Sequence, residues 1–278
     1  MMTVATIQEL QQMATSMRLT ALDMALGAGR NGAHLGAAMS AMEIMAVLYG
    51  RVLHLGQVNP AKPDGDRFLA SKAHCVLAHY TALAEIGLIS REELGTFGKS
   101  GTRLAGHPAM NPELGLEYSG GSLGQAIGFA IGLALDARRK GRNHRVFVLM
   151  GDGELNEGSN WEGFMAAAHF KLNNLIAIVD KNQLQYDGPT EEIMALGDLG
   201  AKLQAFGWQT AEVDGHDVGQ LLAALKSKPG DQPLAVIANT IKGKGVSFME
   251  NVREWHHSTL SQAQYNMAVK EVREAASL

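Results

Sequence analysis

The feature that most constrains the fold of this chain is a pair of short apolar runs that both end in polar residues. The first run, 145–150, leads into the Gly-Asp-Gly sequence at 151–153, and the second, 175–179, is followed by Asn182, thirty positions after Asp152. A helical stretch lies between the runs, so the segment is predicted to be a strand–helix–strand unit with buried parallel strands. Open parallel sheets bind ligands at the carboxyl edge, where these polar residues are expected to lie.

The polar residues at the two strand ends are oxygen donors. The carboxylate of Asp152, the side-chain amide of Asn182 and a backbone carbonyl suit Mg²⁺, with Ca²⁺ as a second option, and phosphate oxygens can complete such a coordination shell. Gly-Asp-Gly alone is common turn chemistry and would indicate only a structural unit. Together with the second strand that ends in Asn182, it favours a site for a divalent metal and a diphosphate.

Composition excludes several other classes of protein. The 278 residues are 46% hydrophobic and 19% charged, which is ordinary for a globular protein. A net charge of −4 gives no electrostatic basis for nucleic-acid binding, and no apolar stretch is long enough to span a membrane. The single cysteine, Cys75, cannot form a disulfide within the chain, so we expect a cytoplasmic protein.

The order of the predicted elements indicates an α/β fold with a parallel sheet flanked by helices. No linker divides the chain, so we expect a single domain over 1–278 with a helical, amphipathic tail from 258 onward that packs on a partner. Strands are predicted at 146–150, 175–179, 208–213 and 234–238, and helices at 7–28, 38–49, 72–86, 124–139, 159–170 and 218–226. The loops at 56–67 and 99–122 are longer than usual and rich in Gly, Pro and His, which is typical of functional loops.

The Gly-Asp-Gly…Asn segment resembles the thiamine diphosphate motif as it occurs in transketolases. The resemblance implies that Asp152, Asn182 and the backbone carbonyl of Leu184 bind the metal, and that Gly153 lets the backbone reach the diphosphate. It also implies the thiamine diphosphate-binding fold, with this chain as the diphosphate-binding domain.

Five further segments are similar to transketolase segments and follow in the same order. They are Gly32–Gly36, Asp66–His74, Gly106–Pro108, Ser119–Gln125 and a last motif made of Asn239–Gly245 and Trp255–His256. Four of the ten histidines lie in these segments, namely His34, His74, His107 and His256. A neutral imidazole can donate and accept hydrogen bonds and can move protons near neutral pH, which suits a hydroxyl-rich substrate.

The resemblance implies a role for each of these four histidines. His34 and His256 would face the C3 hydroxyl of a donor ketose and assist its deprotonation, whereas His74 and His107 would hold the C1 hydroxyl and carbonyl region. His257 stands where the family usually has Gly, and of the two adjacent imidazoles we expect His256 to face the cofactor. The implied cofactor-binding residues are His74, Gly121, Ser122, Leu123, Gly151, Asp152, Gly153, Glu154, Glu157, Asn182, Lys242 and His256. Glu157 additionally resembles an acidic residue of the family's dimer interface.

The resemblance covers only the first domain of a transketolase, because the chain ends at Leu278, soon after the last matching motif. We therefore expect the N-terminal subunit of a split transketolase. Its partner would be a C-terminal subunit that carries the pyrimidine-binding domain and the catalytic glutamate. Two copies of each chain would form a heterotetramer that acts on sugars or sugar phosphates. A truncated chain is the alternative origin.

Three other functions are weaker alternatives. The α subunit of a 2-oxo acid dehydrogenase shares the Gly-Asp-Gly…Asn motif, but the segments around His74, His107 and Gln125 favour sugar chemistry. A non-catalytic module that binds thiamine diphosphate would not need the four histidines. A dinucleotide-binding domain would need Gly-x-Gly-x-x-Gly after its first strand, and this chain has none there.

Overall fold

The computed structural model describes residues 5–55, 65–227 and 230–277. Part of the predicted loop at 56–67 lies outside these ranges. The strands are β1 Arg67–Ala70, β2 Val146–Gly151, β3 Leu175–Lys181, β4 Gln209–Asp214 and β5 Leu234–Asn239. The α-helices are α1 Ile7–Ala28, α2 Leu35–Met39, α3 Met42–Val47, α4 Val76–Glu85, α5 Arg91–Leu94, α6 Ala126–Arg139, α7 Gly158–His169, α8 Thr190–Met194, α9 Leu199–Ala205, α10 Val218–Lys226 and α11 Gln262–Ala275.

The described strands form one parallel sheet in the order β1-β2-β3-β5-β4, which confirms the predicted α/β class. Side chains alternate across it because successive residues of a strand point to opposite faces. In β3, Ile176 and Ile178 pack towards α1, α3 and α10, whereas Ala177 and Val179 pack towards α6, α7 and α9. Both faces of the sheet are therefore covered by helices in the part of the chain that the structure describes.

The structure adds one strand to the predicted set. β1 was not predicted because it has only four residues and begins with Arg67, too short a segment for a strand pattern. It pairs with β2 from Arg67 opposite Val146 to Ala70 opposite Leu149. The addition matters because the segment after β1 carries Lys72 and His74.

The predicted helix at 38–49 is interrupted in the structure. α2 ends at Met39 and α3 begins at Met42, and a π-helical turn follows over Leu48–Val52. The break falls at Ser40, whose hydroxyl donates to Asp180 at 2.6 Å. The helix predicted at 72–86 also begins later, at Val76, after a 3₁₀ turn.

The first and last helices of the described chain pack together. The N-cap of α1 is Thr6, which forms a capping box with Glu9. The predicted tail helix is α11, and it lies on α1 of the same chain with Ala268 and Val272 buried; its packing on a partner stays a prediction. The hydroxyl of Tyr265 donates to Asp23 at 2.5 Å. In the ranges that the structure describes, no helix has the length and apolar character required to cross a bilayer.

We predict that Ile178→Ala lowers the free energy of unfolding by about 2–5 kcal/mol, because Ile178 lies fully buried in the middle of β3. Ile193→Ala is the matched control, since that side chain is 48% exposed, and its expected effect is within about 0.5 kcal/mol. Urea unfolding followed by circular dichroism measures both variants. Equal effects would contradict the assigned position of β3.

Candidate active site

Four neighbouring strands end at the same edge of the sheet, and a candidate residue lies just after the end of each one. Lys72 follows β1, Asp152 follows β2, Asn182 follows β3 and Lys242 follows β5. The strands are parallel, so their carboxyl ends necessarily meet. The predicted residues thus come from the positions where this fold places its ligands.

A buried ion pair between Lys72 and Asp180 lies at the centre of this edge. The Lys72 ammonium also donates to the carbonyl of Ala37 at 3.1 Å, and the hydroxyls of Ser40 and Thr240 donate to the Asp180 carboxylate. Burial raises the pKa of Asp180, but the Lys72 charge and the hydrogen bonds outweigh it and hold the pKa below its usual value. The pair was not predicted from the sequence, because its partners are 108 residues apart.

The predicted metal ligands lie beside this pair. The Asp152 carboxylate accepts the backbone N–H of Gln183 at 2.5 Å and that of Gly153 at 2.8 Å. The side-chain oxygen of Asn182 accepts the N–H of Leu184 at 3.2 Å. The backbone of Gln183 has a φ of 61°, which is uncommon for a residue other than glycine. Burial and the charge of Asp180 raise the pKa of Asp152, and the two backbone hydrogen bonds and the Lys72 charge offset this rise only in part.

The donor set of this site contains oxygen only. Asp152 supplies a carboxylate, Asn182 an amide and Leu184 a backbone carbonyl, which accepts a hydrogen bond from the Lys242 ammonium at 2.7 Å. The described residues contain no cluster of three or more His, Cys, Asp or Glu suited to a metal. The donor set proposed here has only one carboxylate and therefore differs from such a cluster. It is typical of a hard cation that is also coordinated by the oxygens of a phosphate group.

Glu154 has a supporting position in the structure. Its buried carboxylate accepts the N–H of Gly124 at 2.9 Å, the N–H of Gly151 at 3.1 Å and the hydroxyl of Ser71. It therefore ties the loop before α6 to the ends of β1 and β2. Contact between Glu154 and the cofactor stays a prediction, and the three hydrogen bonds indicate that it shapes the loop.

The remaining predicted cofactor residues lie on or next to that loop. Gly121 and Ser122 are exposed, Leu123 is partly buried, and a Cβ added to Gly121 would meet no atom within 4 Å. By contrast, a Cβ on Gly153 would come within 2.7 Å of Gln185. Glu157 is exposed at the start of α7.

Gln185 is a candidate that the sequence did not reveal. Its side-chain amide nitrogen is buried and has no hydrogen-bond partner in the part of the chain that the structure describes. A buried donor without an acceptor is costly, which points to an acceptor supplied by a ligand. Its position three residues after Asn182, in the turn that follows β3, is the signal that could have identified it.

The four predicted histidines form one cluster over these residues. The His34 ring centroid lies 5.7 Å from that of His74, 5.2 Å from His107 and 5.6 Å from His256. His74 and His256 stack at 5.1 Å, and Nδ1 of His256 is 3.0 Å from the Lys242 ammonium. The structure thus brings together four residues of which the first, His34, and the last, His256, are 222 positions apart in the sequence.

The partly buried imidazoles of the cluster are neutral. Burial, together with the charges of neighbouring histidines and Lys242, lowers the pKa of His34 to about 3. Burial and the charges of Lys242 and Lys72 lower the pKa of His256 to about 4, and the pKa of His74 is lowered for similar reasons. A neutral imidazole accepts a proton or a hydrogen bond, so these rings can act as bases and as hydroxyl contacts.

The sequence matches the family model of the transketolase thiamine diphosphate binding domain over residues 9–275. The chain belongs to the transketolase family. It is 41% identical over 244 residues to one of the subunits of the apulose-4-phosphate transketolase of Actinobacillus succinogenes, covering 87% of this chain and 88% of the relative. It is 37% identical over 268 residues to the 6-deoxy-6-sulfo-D-fructose transketolase subunit of a Clostridium species, covering 95% and 96%.

Solved transketolases have the same fold. The enzyme from Campylobacter jejuni superposes with a TM-score of 0.87 at 28% identity, over 99% of this chain and 43% of that one. A variant from Pichia stipitis gives 0.87 at 26% identity, over 99% and 41%. The chain therefore spans less than half the length of these structures. The relatives identify one subunit of a thiamine diphosphate-dependent transketolase, and they do not favour the 2-oxo acid dehydrogenase alternative.

Removal of the Asp180 carboxylate tests the central ion pair. We predict that Asp180→Ala lowers the free energy of unfolding by about 3–5 kcal/mol, because it leaves the Lys72 ammonium buried without its counter-ion. The double variant Lys72→Met/Asp180→Leu is the control, and it should recover most of that loss. Urea unfolding measures both. An Asp180→Ala variant as stable as the wild type would contradict the pairing.

The protonation of His34 gives a second test. With a folded-state pKa of about 3, the imidazole should stay neutral from pH 8 to pH 5, whereas the unfolded chain should titrate near 6.5. The unfolded state then binds more protons below about pH 6.5, so His34 contributes stability that is lost as the pH falls from about 6.5 towards 3. Histidine NMR signals, assigned with a His34→Gln variant, measure the titration. A His34 midpoint near 6.5 in the folded chain would contradict the partly buried, neutral ring.

Proposed function

We propose that this member of the transketolase family binds thiamine diphosphate through Mg²⁺ and takes part in transferring a two-carbon ketol unit from a ketose to an aldose. The observation that carries the proposal is the cluster of four histidines beside the all-oxygen donor set, in which the pKa values of His34, His74 and His256 are lowered. Thiamine diphosphate, when bound, supplies an electron sink for carbon–carbon cleavage. The chain itself must then hold the metal and diphosphate, orient the sugar and accept protons from it.

The donor set fits a metal-bound diphosphate. Asp152, Asn182 and the Leu184 carbonyl would hold Mg²⁺, with Ca²⁺ as the second option, because both ions prefer oxygen. The loop 121–123 offers backbone amides, and the Lys242 ammonium offers a positive charge next to the Leu184 carbonyl. The unpaired amide nitrogen of Gln185 supports the presence of an acceptor there.

The histidines fit the handling of a hydroxylated substrate. His34 and His256 are neutral, so either ring can accept the proton of the C3 hydroxyl as the ketose is cleaved. His74 stacks on His256 and would hold the C1 hydroxyl together with His107. Among the described residues, no carboxylate forms a hydrogen bond or an ion pair with these four histidines. No carboxylate there competes with the sugar for the imidazole nitrogens.

We also propose that the site is completed by a separate C-terminal subunit that carries the pyrimidine-binding domain and the catalytic glutamate. Relatives of nearly the same length are named as transketolase subunits, which supports a two-chain enzyme. Self-association within a heterotetramer is supported by an exposed apolar surface on α6 and α7, where Phe129 is 61% and Met165 58% exposed. Glu157 precedes the first residue of α7 beside this surface.

The donor is proposed to be a ketose, often phosphorylated. The two relatives described above are named for different sugars, one a phosphate and one a sulfonate, so the family alone does not fix the donor. The cytoplasmic location stays a prediction based on the single cysteine, which is buried.

We predict that Asp152→Ala abolishes Mg²⁺-dependent binding of thiamine diphosphate, a loss of more than about 100-fold, because Asp152 is the only charged ligand proposed. Asp187→Ala is the matched control, since Asp187 is exposed in the same turn and should bind as the wild type does. Isothermal titration calorimetry with thiamine diphosphate and Mg²⁺ measures both variants.

Unchanged affinity in Asp152→Ala would refute the metal site.

The activity is tested on the enzyme recovered from its native cells through the tagged chain, supplied with a panel of ketoses, aldoses and pyruvate. Ketol transfer from a ketose is expected, whereas oxidative turnover of pyruvate without ketol transfer would refute the transketolase proposal.

A further inference from the structure

His257 is joined to His34 by a short antiparallel bridge. The N–H of Ala33 donates to the carbonyl of Ser258 at 2.9 Å, and the N–H of Ser258 donates to the carbonyl of Ala33 at 3.1 Å. In antiparallel pairing the next residue on one side lies opposite the previous residue on the other, so His34 faces His257. Their ring centroids are 4.5 Å apart, which is the shortest of the four distances from His34 to another histidine.

The local backbone leaves room for this ring. Gly32 has a φ of +65°, and a Cβ added to it would lie 2.9 Å from Cε1 of His257. A side chain at position 32 would therefore be strained and would displace the imidazole. The sequence around the bridge thus holds the His257 ring against His34.

His257 and its neighbour His256 have different surroundings. His256 is partly buried, stacks on His74 and contacts the Lys242 ammonium. His257 is exposed, and neither of its ring nitrogens hydrogen-bonds to another group in residues 5–55, 65–227 or 230–277. Its donor and its acceptor are therefore both free for a ligand.

His257 and the exposed His107 flank His34 at the mouth of the histidine cluster. Their ring centroids lie 4.5 Å and 5.2 Å from that of His34. A sugar whose C3 hydroxyl faces His34 continues from that carbon through its remaining hydroxylated carbons. The exposed imidazole of His257, with its ring centroid 4.5 Å from that of His34, is close enough to reach a hydroxyl group on those carbons.

We propose that His257 is a specificity-determining residue that hydrogen-bonds a hydroxyl of the donor sugar beyond C3. The proposal rests on the ketol-transfer function proposed above and deepens it. It assigns to this chain a contact with the solvent-side part of the sugar, in addition to any contact made by the partner chain. A donor without hydroxyls beyond C3 lacks the group that His257 would recognise.

The test compares two donors on the enzyme recovered from native cells through the tagged chain. One is β-hydroxypyruvate, which has no hydroxyl beyond C3. The other is the fastest donor among D-xylulose 5-phosphate, D-fructose 6-phosphate and the corresponding free sugars. We expect His257→Gly and His257→Phe to lower kcat/KM for the ketose about 10-fold more than for β-hydroxypyruvate, the effect of one lost hydrogen bond. His257→Gln keeps a donor and an acceptor and should keep the wild-type ratio.

Equal losses for both donors in His257→Gly would overturn the proposal, since they would show that His257 only supports His34. No loss for either donor would overturn it as well. Failure of the proposed function is distinguishable from both results, because the wild-type enzyme would then transfer no ketol unit from any of the donors.

Discussion

The buried ion pair between Lys72 and Asp180 is the interaction on which the arrangement of the site depends. It joins the segment after β1 to the end of β3. The hydroxyl of Thr240, the residue after β5, donates to Asp180 and so connects this strand to the pair. Each of these residues lies two positions before a residue of the candidate site. Lys72 precedes His74, Asp180 precedes Asn182, and Thr240 precedes Lys242. The pair thus sets the relative positions of the histidine cluster, the metal ligands and the lysine that contacts Leu184.

The same ion pair also contributes to the electrostatics of the site. Burial lowers the pKa of His74 and His256, and the Lys72 charge, although paired with Asp180, lowers both further. These inner imidazoles therefore remain neutral over the physiological range. Burial raises the pKa of Asp152, and the negative charge of Asp180 raises it further. A divalent cation at Asp152 would relieve this repulsion, which connects the structural ion pair to cofactor binding.

The sequence predicted the parts of this arrangement that depend on local patterns. The strand-like runs that form β2, β3, β4 and β5 end in glycine or polar residues, and a parallel sheet places such ends together. The four histidines were identified from the short segments that contain them. In the structure the ring centroids of His74, His107 and His256 each lie within 6 Å of that of His34, and the roles of the four residues remain proposals.

Features that depend on tertiary contacts could not be predicted in this way. β1 is too short to show a strand pattern, and the pairing of Lys72 with Asp180 depends on the order of strands in the sheet. Glu154 follows the metal aspartate closely in sequence, but its carboxylate is used by Ser71, Gly124 and Gly151. The adjacency of His257 and His34 requires the Ala33–Ser258 bridge, which no local pattern indicates.

The central claim is that this chain is one subunit of a two-chain transketolase. The most direct measurement is a pull-down of the tagged chain from its native cell extract with Mg²⁺ and thiamine diphosphate, followed by mass spectrometry and native mass measurement. The account predicts a stoichiometric companion that carries a pyrimidine-binding domain, in an assembly of two copies of each chain. Recovery of the chain without any stoichiometric companion would contradict it.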